Sequence, residues 1–96
     1  MLFVVTAIDK ADSLALRLSV RDAHLAYARE TGRMKLGGPF LDADGKMCGS
    51  LMIVEAPDLE TVQAWNGQDP YAKAGLFASV DVRPWKATYN PIEAAL

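Results

Sequence analysis

The chain has very little of several features that would assign a protein to a class at once. Its 96 residues include one cysteine and one histidine, so an internal disulfide is excluded and a metal site, which needs three or more ligands, is not indicated. No apolar run approaches the roughly 20 residues of a membrane-spanning helix. The first residues lack the charged leader and cleavage site of a secretion signal. These absences predict a protein of the reducing cytoplasm, with no membrane partner and no metal.

The chain also lacks a concentration of positive charge. Ten Lys and Arg are balanced by 12 Asp and Glu, for a net charge of −2, and the basic residues form no run. Proteins that bind nucleic acid usually carry a basic stripe that neutralises phosphates. The central strands predicted below offer only Phe3 as an aromatic, whereas an RNA-recognition domain needs several. We therefore expect no nucleic-acid partner.

What is present is the composition of one soluble globular domain. The chain is 51% hydrophobic and 23% charged, which is close to average usage. We expect residues 1–96 to form a single domain, with residues 86–96 as a C-terminal tail. A chain of this length buries only about 60–65% of its unfolded surface, so its own core leaves a small margin of stability. Size alone therefore favours association into a dimer.

The hydrophobic pattern predicts the element order β-α-β-β-α-β. The four strands are predicted at residues 2–9, 33–41, 47–55 and 76–85. After a half-turn over residues 13–18, the first helix is predicted over residues 20–31, with Ser19 as its N-cap and Gly32 as its end.

The second helical region divides into two parts. Asp58 is expected to cap a helix that ends at Gly67. A short helical turn then follows, with Asp69 as its cap and Pro70 in the first position, where the missing N–H costs nothing. The tail is expected to turn at Asn90-Pro91, with a short docked helix as one candidate ending.

A tight hairpin joins the second and third strands. Asp44-Gly45 is a favoured pair for a two-residue turn. Counting back from that turn places Pro39 opposite Ser50, so the serine and the preceding glycines share one neighbourhood. The segment 37–39, "GGP", either forms a bulge or lets a substrate approach the backbone closely.

This order predicts a ferredoxin-like α+β sandwich. Strands one and three are apolar on both faces, whereas strands two and four carry charges, which gives an antiparallel sheet in the order 4-1-3-2. Two helices cover only one face of this sheet, and a second copy of the chain is the simplest cover for the other. We expect a homodimer with sheets face to face.

The topology brings the single histidine close to an acid. Because the two helices run antiparallel, His24 and Asp69 lie at the same end of the molecule, where a carboxylate could orient an imidazole base. Purely structural roles for His24 and Asp69 are the alternative, because helix capping already accounts for an aspartate at position 69. Arg17 and Arg21 are placed to bind an anion, although surface arginines usually have no such role. Tyr71 either packs or points its hydroxyl into a cleft.

Four segments resemble one known family when taken together. "DSLALRLSVRDAHLAY", "GGP", "GSLMIVEA" and "AWNGQDPYAKAGLF" occur in an order and at distances similar to those of the YciI-like (YCII-related) family, over residues 1–86. The resemblance implies a ferredoxin-like fold that pairs into a dimeric α/β barrel, with His24 and Asp69 as an active-site dyad. It also implies a substrate-binding cleft that is lined by Arg17, Gly38, Ser50 and Tyr71.

The resemblance implies an enzyme more firmly than any particular reaction. Chemistry with one acid/base group and no cofactor fits best, which means an isomerase, lyase or hydrolase acting on a small, anionic substrate. The alternative is a non-catalytic module that binds or senses a small acid in the same cleft.

Overall fold

The computed structural model describes all 96 residues. Along the chain the elements are β1 (Leu2–Asp9), α1 (Leu14–Thr31), β2 (Met34–Leu41), β3 (Met47–Glu55), α2 (Leu59–Gln68), α3 (Pro70–Lys73) and β4 (Phe77–Trp85). The strands form one antiparallel sheet in the order β2-β3-β1-β4. The predicted ferredoxin-like α+β class and its sheet order are therefore confirmed.

The core lies between the helices and one face of the sheet. Successive side chains of a strand point to opposite faces, and in β1 every second residue from Phe3 to Ala7 is buried. The register pairs Phe3 with Val54 and Val5 with Met52 on this face. Seven buried residues form the core cluster, namely Phe3, Val5, Met52, Val54, Ala56, Val62 and Trp65.

The first helix begins earlier than the sequence analysis predicted. It starts at Leu14, so the half-turn over residues 13–18 and the N-cap at Ser19 are wrong. Ser19 lies inside the helix, where its hydroxyl donates a hydrogen bond of 2.7 Å to the Leu16 carbonyl. The residues before it are mostly leucine, alanine and arginine, which favour helix, and no glycine or proline interrupts them. His24 therefore lies near the middle of α1 and not one turn from its start.

The β2–β3 hairpin has the predicted register but a different turn. Pro39 pairs with Ser50 as expected, and residues 37–39 pair without a bulge. The loop has three residues, because the Asp42 N–H donates to the Lys46 carbonyl at 2.8 Å. An irregularity in the pairing near the start of β3 absorbs the one-residue difference. The two-residue turn is therefore wrong, although the strands beyond it pair as predicted.

The remaining boundaries change little. Asp58 caps α2 by accepting a hydrogen bond of 2.8 Å from the Thr61 N–H, and α2 ends one residue beyond Gly67. The tail turns at residues 91–92 and contains no helix, so the docked helix is wrong. None of the helices is long and apolar enough to cross a membrane.

Candidate active site

Asp69 lies at the junction of α2 and α3 and is fully buried. Its Oδ1 accepts a hydrogen bond of 2.9 Å from the Tyr71 N–H, which caps α3, and Pro70 needs no partner at the first helical position. The Asp69 oxygens also lie 2.9 and 2.8 Å from Nδ1 of His24, because α3 packs against α1. The predicted convergence of His24 and Asp69 is therefore confirmed, and Asp69 has both a capping and a pairing role.

This contact fixes which nitrogen of His24 carries the proton. An ionised carboxylate can only accept hydrogen bonds, so Nδ1 is protonated and donates to Asp69. The other ring nitrogen, Nε2, makes no hydrogen bond within the chain, and in a neutral imidazole with Nδ1 protonated it carries the lone pair. His24 is 7% exposed, and that small exposed part faces a cavity. The geometry presents an oriented imidazole to the cavity, and a neutral imidazole held in this way can act as a base.

Tyr71 holds the imidazole from the side. Its ring stacks on His24 with centroids 4.1 Å apart and planes inclined by 16°, and the Arg17 guanidinium lies 4.7 Å from the same ring centroid. Burial raises the pKa of the Tyr71 hydroxyl above 10, with Arg17 and Arg21 opposing the rise. The hydroxyl is therefore protonated at neutral pH. Tyr71 both packs and lines the cavity.

Arg17 is a buried cation whose two Nη atoms donate hydrogen bonds inside the chain. It is 2% exposed, and its Nη atoms donate to the Ser50 hydroxyl and the Gly49 carbonyl. Its Nε lies 3.2 Å from Oδ2 of Asp9, at an angle too poor for a hydrogen bond. Arg17 therefore links the end of β1 to β3 at the wall of the cavity.

Asp9 is the ion-pair partner of the cavity residue Arg17, and the sequence analysis missed it. It is the last residue of β1, and its side chain is 4% exposed. Burial raises the pKa of this carboxyl above 3.8, and the neighbouring Arg17 lowers it in part. One signal for this pair was available in the sequence. The first strand is apolar on both faces but ends in an acid, five residues before a helix that contains arginine.

The cavity has a volume of about 140 Å³ and lies between α1, α3, β2 and β3. Asp69 is behind His24, and the other predicted site residues line the cavity, namely Arg17, His24, Gly38, Ser50 and Tyr71. The apolar part of the wall was not predicted and consists mainly of Leu25, Met34, Met47 and Met52. No group of three or more His, Cys, Asp or Glu side chains converges to hold a metal ion.

The two glycines of β2 contribute to the cavity in different ways. A Cβ on Gly38 would meet nothing within 4 Å, so this residue borders the cavity through its backbone. A Cβ on Gly37 would lie 2.5 Å from the sulfur of Met34, which is also a cavity residue. The missing side chain at position 37 therefore leaves room for Met34 at the cavity wall.

The chain is similar in sequence to several known proteins. A model of the YCII-related domain matches residues 1–86. The protein YciI of Escherichia coli O6:H1 is 43% identical, over 93% of this chain and 100% of its own. An uncharacterized protein of Haemophilus influenzae is 33% identical over the same shares of the two chains.

Solved structures show the same relationship. The 5-chloro-2-hydroxyhydroquinone dehydrochlorinase of Burkholderia phenoliruptrix AC1100, in complex with 2,5-dihydroxybenzoquinone, is 39% identical. Its TM-score is 0.83, over 90% of this chain and 94% of that chain. An antibiotic biosynthesis monooxygenase, with a TM-score of 0.55 and 14% identity over 90% of this chain and 99% of its own, shares the fold alone. The domain match and the identity to YciI show that this chain belongs to the YCII-related family.

Proposed function

We propose that this protein is a small-molecule enzyme that uses His24 and Asp69 as a catalytic dyad, without a cofactor, on a small anionic ring compound. The observation that carries the proposal is the orientation of the histidine. Asp69 binds Nδ1, so Nε2 is the nitrogen left to exchange a proton with a molecule in the cavity. Arg17, Gly38, Ser50 and Tyr71 form the walls that position this molecule.

The volume and the lining of the cavity support a single ring as the substrate. An apolar protein cavity of about 150 Å³ is large enough for benzene, and this one measures about 140 Å³. Three methionines form much of its apolar wall, and thioether sulfurs make favourable contacts with aromatic rings. The related dehydrochlorinase binds 2,5-dihydroxybenzoquinone, which is a single ring. A hydroxylated ring is therefore the substrate class that we assign.

One base at this position can catalyse two related steps on such a ring. First, His24 accepts a proton from a ring hydroxyl, a C=O forms, and the proton is delivered to a neighbouring ring carbon, which is an isomerisation. If that carbon bears chlorine, removal of a second hydroxyl proton then expels chloride with the C–Cl electron pair. Together, the two steps remove HCl from the chlorinated ring. Asp69 stabilises the imidazolium that forms at each stage.

The assay follows from this chemistry. We expect the protein to release chloride from 5-chloro-2-hydroxyhydroquinone, measured with a chloride electrode, or to exchange a ring hydrogen of the unchlorinated 2-hydroxyhydroquinone for deuterium in D₂O, followed by proton NMR. Tight binding with no turnover in either assay would favour the alternative, a module that binds or senses a small acid. No binding of any hydroxylated ring would contradict both.

Gly37 provides a test of the ring-sized cavity. We expect Gly37→Ala to weaken the binding of 2,5-dihydroxybenzoquinone by about 10-fold or more, because one extra methyl group in a close-fitting pocket is worth about 1–3 kcal/mol. The new methyl displaces the Met34 sulfur at the cavity wall. Isothermal titration calorimetry measures the effect. Gly67→Ala is the matched control, since its Cβ meets nothing within 4 Å, and equal affinities for the two variants would contradict the assignment.

We also propose that the chain forms a homodimer through the uncovered face of its sheet, in the manner of a dimeric α/β barrel. On this face Val4 pairs with Ile53, and Thr6 pairs with Leu51. Leu36 pairs with Ile53 from the other side and is 51% exposed. Val4, Thr6 and Leu51 are half-buried, whereas Ile53 between them is 4% exposed. Apolar sheet faces are normally covered by another layer.

A charge at the centre of this face tests the dimer. Sedimentation equilibrium is expected to give about twice the chain mass of 10.4 kDa for the parent protein, because burial of the apolar face drives association. Leu51→Glu buries an unpaired carboxylate and is expected to give a monomer. Leu59→Glu, at an exposed leucine of α2, is the control. A parent monomer, or a Leu51→Glu dimer, would contradict the proposal.

A further inference from the structure

Two arginines line the cavity, and they differ in burial and in ion pairing. Arg17 is buried, pairs with Asp9 and donates to β3. Arg21 is one turn further along α1 and is exposed. It makes no ion pair and no side-chain hydrogen bond, since the ion pairs of the structure involve Arg17, His24 and Arg83. Only Arg21 is therefore free to bind a ligand with all of its guanidinium donors.

The charges of the cavity lining also indicate Arg21. Asp9 compensates Arg17, and Asp69 binds His24. The remaining lining residues are uncharged. Arg21 is thus the one charged lining residue without a compensating group, and an occupant with one anionic substituent would complete the site.

We infer that Arg21, and not Arg17, binds the anionic group of the substrate, while the ring occupies the methionine-lined interior of the cavity. This inference rests on the proposed function and adds the orientation of the substrate to it. Arg21 is three residues before His24, so both lie on the same face of α1. A ring with its anionic oxygen on Arg21 places its other substituents toward Nε2 of His24. Arg17 then holds Ser50 in place at the cavity wall and does not contact the anion.

Calorimetric titration with 2,5-dihydroxybenzoquinone and with benzoate, at low and high NaCl, tests the inference. We expect Arg21→Met, which retains most of the apolar stem, to raise Kd by about 10–100-fold, as for loss of a charge-assisted hydrogen bond. The salt dependence of Kd should decrease as well. Arg21→Lys should retain part of the affinity, because the positive charge remains. Arg29→Met removes the same charge from an exposed position near the end of α1 and should bind like the parent.

The outcomes separate this inference from the proposed function. If Arg21→Met binds both probes like the parent, the inference is wrong, whether or not the protein is an enzyme. If Arg21→Met weakens binding and the parent shows no turnover, the inference stands and the enzymatic proposal fails. If the parent binds neither probe, a ring anion is not the occupant and the inference is overturned. Thermal unfolding of each variant verifies that the fold is intact.

Discussion

Replacing Arg17 with methionine is expected to lower the free energy of unfolding by about 3 kcal/mol near pH 8. The guanidinium is almost fully buried, and its removal leaves the Asp9 carboxylate buried and without a compensating charge. We place the loss at the lower end of the usual range, because Asp9 also borders a large open cleft where water can relax around it. Urea unfolding followed by tryptophan fluorescence measures the loss, since Trp65 is buried in the core.

The same variant has a characteristic pH dependence. Folding raises the pKa of Asp9 above 3.8, chiefly through burial, while Arg17 lowers it. The stability that a raised pKa contributes is fully present below pH 3.8 and is lost as the pH rises through the folded-state value. Without Arg17 the pKa of Asp9 rises further, so the deficit of Arg17→Met should be largest near pH 8 and should shrink toward pH 4.

The double variant Asp9→Asn/Arg17→Met is the control for this interpretation. It removes both charges, so it should recover much of the stability near pH 8 and lose the extra pH dependence. All proteins are compared at one chain concentration, because association contributes to apparent stability. A deficit of equal size at both pH values, with no recovery in the double variant, would show that Arg17 acts by packing and not as a counterion.

The parts of the fold that the sequence predicted depend on local chemistry or on simple burial. Charges on the second and fourth strands identified the edges of the sheet, because an edge strand tolerates solvated side chains. Asp58 and the Asp69-Pro70 pair marked helix starts through their hydrogen-bonding chemistry. The predicted antiparallel helices placed His24 and Asp69 at the same end of the molecule, and in the structure the packing of α3 against α1 brings them together. These inferences needed only the order of the elements.

The parts that were missed depend on competition between local signals or on contacts between distant segments. Ser19 resembles the N-cap of a helix, but a serine inside a helix can donate to a preceding carbonyl instead, as it does here. The ion pair of Asp9 with Arg17 joins a strand end to a helix interior. The methionines of the cavity come from two strands whose relative positions are set by the hairpin register. The spacing of residues within one segment does not predict which side chains of distant segments come into contact.

The proposed dyad gives the largest expected effect on activity. His24→Ala removes the base and should lower kcat by about 10²–10⁴-fold in the chloride-release assay. Asp69→Asn should cause a loss of similar size for a different reason. Its amide oxygen can still cap α3 in place of Oδ1, but its NH₂ group would lie where Oδ2 now accepts from Nδ1 of His24. Nδ1 also lies 2.9 Å from Oδ1, but an NH₂ group 2.8 Å away repels an Nδ1–H and donates well to an unprotonated Nδ1. We therefore expect the imidazole proton to move to Nε2, with loss of the lone pair on that nitrogen.

The single histidine makes this tautomer directly observable. In protein labelled with ¹⁵N-histidine and produced without a histidine tag, the spectrum contains one imidazole, and its two nitrogen shifts report which one is protonated. We expect a proton on Nδ1 in the parent and on Nε2 in Asp69→Asn, with the fall in kcat following the change. Asp22→Asn, an exposed acid on the same helix, should alter neither quantity. A parent proton on Nε2, or an Asp69→Asn variant with parental kcat, would contradict the assignment of His24 as the base.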